Sequence, residues 1–270
     1  MTQTAYTVTT PRGETKLMVM DRDEGFPSTF ALLATTAPDK VVIRISGGCK
    51  GMSPEDKLVM LDYFAEGMPG FQGMIWSGST RQFTKDGKTD PMVTDVPGVI
   101  AAAYPGCVAL GSAPRTDILR LVGESRLVLD SYGTGPNPSM SGILIVQNRA
   151  DGKMLNAAGE ADWGGDLNAA FEMMDNLVNC AGFRRAGVIA WNGGPVTKDE
   201  IMRSAKRGWP TIVIRGSGRV ADEIAAQLDA NDPVLMNQLP KNHNLVAADR
   251  NDSATLRIAL QGFGFLSQAS

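Results

Sequence analysis

Short runs of β-branched residues in this chain end repeatedly in glycine-rich loops that open into helical patterns. VVIRIS at 41–46 runs into GGCKGM and then SPEDKLVMLDYFAEG. AGVIAWNGGPVTKDEIMRSAKRG repeats the form with a Gly193-Gly194-Pro195 turn, and WPTIVIRGSGRVADEIAAQL repeats it with Gly216-Ser217-Gly218-Arg219. Glycine supplies 30 of the 270 residues, against a usual share of about 7%. Its placement between strands and helices fits neither a collagen period nor a linker. Such units in series join parallel strands through crossover helices. They predict an α/β fold with a mainly parallel sheet and helices on both faces.

The same reading gives finer expectations. Ser53 is the predicted N-cap of a helix with Pro54 at its first position and Glu55 and Asp56 in the first turn. Leu58, Leu61 and Phe64 are its expected buried face. GMIWSGSTRQ (73–82), GCVALGSAPR (106–115) and RLVLDSYGTG (126–135) read as further strands ending in small-residue loops. GILIVQN (142–148) reads as a strand, and DGKMLNAAGEADWGGD as a polar surface excursion. Asp166 is the expected N-cap of a helix ending near Gly182. Its Leu167, Ala170, Phe171, Met174, Leu177 and Val178 recur at helical spacing, so the methionines there fill core.

Composition removes several function classes. A net charge of -3, with no cluster of five or more Lys/Arg, lacks the electrostatic footprint of a nucleic-acid binder. Cys49, Cys107 and Cys180 form no CxxC pair, against a disulfide framework, a zinc ribbon or a redox dithiol. The single histidine, His243, rules out paired-histidine metal sites, and in KNHNLVAAD it reads as a solvated residue before a strand. No metal or cofactor is expected. With no apolar leader segment and no run of about 18 apolar residues, the expectation is a cytoplasmic protein, mature as the whole chain, with no membrane partner.

At the carboxyl ends of parallel strands, loops expose backbone N–H groups, and helix N-termini carry partial positive charge. Several glycine loops converging on one sheet edge therefore suggest a phosphate site, although each glycine would also serve a tight turn. Neither GxGxxG nor GxxxxGK[ST] occurs, so a standard dehydrogenase and a P-loop NTPase are both excluded.

The ordered set SGGCKGM, WSGSTRQ, VALGSAPR, WNGGPVT and IRGSGRVADEIA resembles the SLOG superfamily. Within it, the set is similar to the branch found at the cytoplasmic N-terminus of melastatin-type TRP channels and in bacterial relatives. The resemblance covers roughly residues 40 to 250. It implies a Rossmann-like sheet and a pocket for nucleotide-derived ligands, ADP-ribose and its cyclic relatives among them. Carried over, the ligand-facing positions are Gly47, Gly48, Gly78, Ser79, Gly193, Gly194, Gly216, Ser217, Gly218 and Arg219. Arg219 would pair with a phosphate through its planar fork, while Asp222 suits a first helical turn for structural reasons. Residues 1–270 are expected to form one such domain, with 1–40 an N-terminal extension packed on it.

The superfamily also contains nucleoside-monophosphate N-glycosidases with a GGxGTxxE loop after a proline. NGGPVTKDE at 192–200 matches at Gly193, Gly194, Thr197 and Glu200, but has Asn192 for the proline and Val196 for the third glycine. The resemblance would make Glu200 catalytic, with Arg184 or Arg185 as partner. The simpler reading of Thr197-x-x-Glu200 is a capping box, and Val196 would obstruct close backbone approach. Three functions remain in view: a nucleotide sensor, a nucleotide N-glycosidase, and an assembly subunit with purely structural loops. The sensor is favoured, its output supplied by a separately encoded effector. A homo-oligomer is expected, with FALLA (30–34) and VIAAAY (99–104) as candidate interface segments, though core burial would explain both equally well.

Overall fold

The computed structural model describes residues 5–10, 13–21, 36–82, 90–114, 119–122, 126–129, 134–136, 140–147, 157–159 and 163–267. FALLA, the tip of 126–135 and most of the 151–166 excursion lie outside them. The strands are β1 (Ala5–Thr10), β2 (Gly13–Asp21), β3 (Val41–Gly48), β4 (Met74–Gly78), β5 (Thr80–Gln82), β6 (Val108–Pro114), β7 (Leu119–Val122), β8 (Arg126–Leu129), β9 (Thr134–Pro136), β10 (Gly142–Gln147), β11 (Arg185–Asn192), β12 (Thr211–Arg215) and β13 (Leu245–Asp249). The helices are α1 (Pro54–Gly67), α2 (Val96–Ala103), α3 (Trp163–Cys180), α4 (Pro195–Lys206), α5 (Arg219–Asp229), α6 (Pro233–Met236) and α7 (Ser253–Gly262).

Nine strands form one sheet in the order β1-β2-β10-β6-β4-β3-β11-β12-β13. Every neighbouring pair is parallel except β1 with β2. Thus β1 and β2, from the opening forty residues, extend the sheet at one edge. Alternation along β3 sends Val41, Ile43 and Ile45 into the core beneath α1, α2 and α7. Val42 faces the other way, where Met174 and Leu177 of α3 pack, and α4 and α5 complete that layer through Ile201, Ala205, Ile224 and Ala225. The chain has the Rossmann-like α/β fold, with helices on both faces.

Local expectations hold at α1, where Ser53 and Asp56 form a reciprocal capping box and Pro54 opens the helix. Its buried face differs: Lys57, Met60, Tyr63, Phe64 and Gly67 point inward, and Leu58 is 55% exposed. At β6 the stretch Gly111-Ser112-Ala113 stays inside the strand, because Gly111 packs against Ser79 with no room for a Cβ. Arg126–Leu129 pairs antiparallel with Leu119–Val122 in a separate two-stranded sheet, so it does not repeat the strand-loop-helix unit. Asp166 lies inside the first turn of α3, which begins at Trp163, rather than capping it. Two of the residues in 99–104 do core or helix-end work: Ile100 is fully buried, and Tyr104 caps α2 and donates to the Ala65 carbonyl over 2.6 Å.

Candidate functional site

β3 and β11 lie side by side, with Gly47 opposite Trp191 and Gly48 opposite Asn192. From β3 the chain goes on to β4 on one side, and from β11 to β12 on the other. The loops diverge there and leave a crevice at the carboxyl ends of the two strands, where open α/β sheets bind ligands. Gly47 makes the close approach possible, since a Cβ at that position would collide with the Trp191 carbonyl oxygen.

Two helices begin at this crevice. Gly194 is the N-cap of α4 and Gly218 the N-cap of α5, and neither position offers a side-chain acceptor to the first-turn N–H groups. Orphan N–H groups and the helix dipole favour an anion at such ends. The two starts are adjacent: a Cβ at Gly194 would stand 2.9 Å from Arg219 Nη2, and one at Gly218 would stand 3.5 Å from Asn192 Oδ1. Arg219 is exposed and has no hydrogen-bond or ion-pair partner among the described residues.

The loop between β12 and α5 is held from several directions. Gly216 N–H donates to Asp222 Oδ1 over 2.6 Å, and Arg250 Nη1 donates to the Gly216 carbonyl over 3.2 Å. Arg250 Nη2 also donates to Asp56 Oδ1 over 2.5 Å, tying this loop to the start of α1. That bond holds the Asp56 carboxyl down to about 2, helped by Ser53. Asp222 thus has the structural role expected of it. Ser217 is buried, and its hydroxyl donates to the Ile214 carbonyl over 2.6 Å while accepting from Asn192 N–H over 2.8 Å.

Beside the first turn of α4 lies a cavity of about 240 Å³, lined by residues that include Arg44, Ser46, Gly47, Gly78, Asp166, Val196, Thr197 and Glu200. Glu200 does not cap α4. With Gly194 as N-cap, Thr197 falls within the helix, its side chain filling the space against Gly193, and Glu200 comes a turn further on. The Glu200 carboxylate is buried, accepting from Arg44 Nε over 2.6 Å and from the Ser46 hydroxyl. Burial pushes its carboxyl above the ordinary range, against the pull of Arg44. The partner is therefore neither Arg184, which lies 3.9 Å from Asp39, nor Arg185, which stands over the Phe265 ring. Arg44 went unnoticed in the sequence, although a charge inside VVIRIS demands a buried partner.

Residues 149–257 match the family model described as "SLOG in TRPM, prokaryote". Over this segment, rather less than half of the chain, the sequence is similar to the SLOG superfamily. The SLOG segment holds α3 and β11 through β13, with the loops at Gly193-Gly194 and Gly216-Arg219, whereas Arg44, Gly47, Gly48, Gly78 and Ser79 lie outside it. Among solved structures, the chain is similar to TM1055, a structural-genomics target, at 17% identity and a TM-score of 0.45, covering 83% of this chain and 99% of that one. It is also similar to the molybdenum cofactor carrier protein of Chlamydomonas reinhardtii, at 15% identity and a TM-score of 0.44, covering 82% and 96%. No curated protein sequence matches it.

Of the ten expected ligand positions, Gly47 and Gly78 line the cavity, while Gly193, Gly194, Gly218 and Arg219 surround the two helix starts. Gly48 borders open space, and Gly216 and Ser217 shape the loop from within. Ser79 is fully buried and is not among the cavity-lining residues. Its N–H donates to the Ser112 carbonyl over 2.9 Å. His243 precedes β13 and accepts from Leu245 N–H over 3.3 Å. No helix among the described residues is long and apolar enough to cross a membrane, and none of their His, Cys, Asp and Glu side chains group to hold a metal.

Proposed function

We propose that the chain binds a nucleotide or nucleotide-derived ligand, ADP-ribose-like or a cyclic derivative, at the β3–β11 switch point. The observation that carries this reading is the partnerless Arg219 guanidinium standing over Gly194, the uncapped start of α4. A phosphate there would meet helix N–H groups and a cation together. In this reading the protein is a sensor, a homo-oligomer in the cytoplasm, passing its state to a separately encoded effector. Calorimetry with AMP, NAD and ADP-ribose tests it. Saturable binding of at least one is expected, and no binding of any of them overturns the reading.

One observation favours a second reading, a nucleotide N-glycosidase. Glu200 is free of the capping role and faces a cavity beside Arg44, where a perturbed carboxyl suits proton transfer. Chromatography after incubation with AMP, NAD and ADP-ribose separates the two readings. The binder releases no free base. Base release with turnover that Glu200→Gln removes, at unchanged affinity and with the variant still folded, would make Glu200 catalytic.

A further inference from the structure

The sheet ends, on the side opposite β1, at β13, which pairs only with β12 among the described strands. On its inner side Thr211 N–H donates to the Asn244 carbonyl over 2.8 Å, and Arg250 N–H donates to the Arg215 carbonyl over 2.9 Å. Backbone groups alternate sides along a strand, so Leu245, Ala247 and Asp249 turn theirs outward. An open row of such groups invites uncontrolled pairing, and here the chain itself occupies both ends. Leu245 N–H donates to His243 Nδ1 over 3.3 Å, and Asp249 N–H donates to Thr255 Oγ1 over 2.8 Å. Ala247, alone of the three, has neither its N–H nor its C=O bonded among the described residues. The flanks of this edge are apolar. α6 lies against one face of β13, its Leu235 in one core cluster with Leu245, and α7 against the other, its Leu256 in one cluster with Ala248. These two helices carry Val234 and Ile258, at 65% each the most exposed large apolar side chains among the described residues. Ile258 stands three residues along α7 from Thr255, on the side that reaches the edge. Lys241 and His243 lead into the strand, whereas Asp249 and Asp252 close it.

We infer that β13 pairs with β13 of a second copy of this chain, antiparallel about a two-fold axis at Ala247. Two facing copies of one residue, each with an open donor and an open acceptor, exchange two N–H···O bonds, the hydrogen-bonded pair of an antiparallel ladder. A two-fold interface must be self-complementary in this way. The same register brings Lys241 of each copy toward Asp252 of the other, setting opposite charges at both rims. The match in hydrogen bonds and in charge is thus contained in this one segment, which is why the occupant is a second copy and not an unrelated strand. With the flanking N–H groups committed, the ladder stops at Ala247, and Val234 and Ile258 supply the apolar remainder. The inference gives the proposed homo-oligomer an interface, rests on that reading only in requiring a second copy, and does not depend on the ligand.

Sedimentation velocity over a concentration series tests it, with circular dichroism to confirm folding. Ala247→Pro removes the outward N–H, a change an edge strand tolerates, and should give a folded monomer where the parent is a dimer. Ile258→Asp alters only an exposed side chain, so it remains informative if Ala247→Pro fails to fold, and it too should dissociate the dimer. Lys241→Glu sets a like charge against Asp252 of the second copy. It should raise the dimer dissociation constant about threefold or more, since exposed pairs are weak singly but a two-fold axis repeats them. Adding Asp252→Asn, which still caps α7, should recover part of that loss. A folded Ala247→Pro that remains a dimer overturns this interface and leaves the homo-oligomer standing, and where Ala247→Pro does not fold, a dimeric Ile258→Asp does the same. A parent protein that is monomeric at every concentration overturns both and leaves the edge to water or to another chain. Neither result bears on nucleotide binding, which is read separately by calorimetry.

Discussion

The backbone N–H of Asn192, the last residue of β11, donates to the hydroxyl of Ser217 in the loop after β12. Asn192 sits at φ 56°, in the left-handed region, so its conformation relies on that bond. Ser217→Ala leaves a buried N–H and the Ile214 carbonyl without this partner. The expected loss of stability is about 1 to 3 kcal/mol, read from denaturant unfolding. Unchanged stability would leave the hydroxyl free to serve a ligand instead.

Gly218 has φ 106° and ψ 166°, a region essentially reserved for glycine. Gly218→Val is expected to abolish nucleotide binding, because its side chain fills the space between the two helix starts. A Cβ there meets only ordinary contacts, 3.5 Å from Asn192 Oδ1, so the fold should survive with about 1 to 3 kcal/mol of backbone strain. Circular dichroism with calorimetry checks both halves. A folded Gly218→Val that binds as the parent does would clear the loop of any ligand role.

Arg219→Ala should weaken binding of a phosphate-bearing ligand by about 1.5 to 3 kcal/mol, the range for a hydrogen bond to a charged group. Arg219→Lys should recover only part of that, since an ammonium lacks the planar fork. Titration calorimetry of the three proteins in one buffer decides it. Equal affinities would assign Arg219 to the solvated surface.

Burial raises the Glu200 carboxyl above its value in the unfolded chain, which lies near 4.5. The folded protein then holds that proton more tightly than the unfolded chain does. Its contribution is favourable at low pH and declines as pH rises from about 4.5 toward the folded value. Glu200→Gln removes this dependence. Melting temperatures of parent and Glu200→Gln from mildly acidic to neutral pH should therefore diverge, the parent losing ground as pH rises. Parallel curves would show that Arg44 fully offsets the burial.

What the sequence made legible was local. The strand-loop-helix units that begin at VVIRIS, AGVIAWN and TIVIR, their glycine loops and the Ser53 cap depend on neighbours a few residues apart, and these are where the pattern put them. The start of α4 was misplaced because Thr197-x-x-Glu200 imitates a capping box. Pro195, suited to a first helical position, was the competing signal and marks the true start. The partner of Glu200 was out of reach for another reason: Arg44 lies on the strand that begins the sheet's central pair, and only the β3–β11 register brings the two together. Leu58 was assigned inward by its spacing from Leu61 and Phe64, and of these Phe64 is buried; the angular position of Lys57 and Met60 shows which side of α1 faces the sheet.

The pairing of β3 with β11 sets Val41 beside Arg185, closing a loop that contains more than half the chain. Contacts so distant in sequence form slowly, because the chain entropy of closure is lost before any pairing energy is gained. β11, β12 and β13, by contrast, follow one another through short connections of one or two helices. The crevice is thus a late product of folding, since its Gly47 wall and its Gly193 wall belong to parts of the chain that meet only at this step. A chain halted before that docking would carry both helix starts and still present half a site.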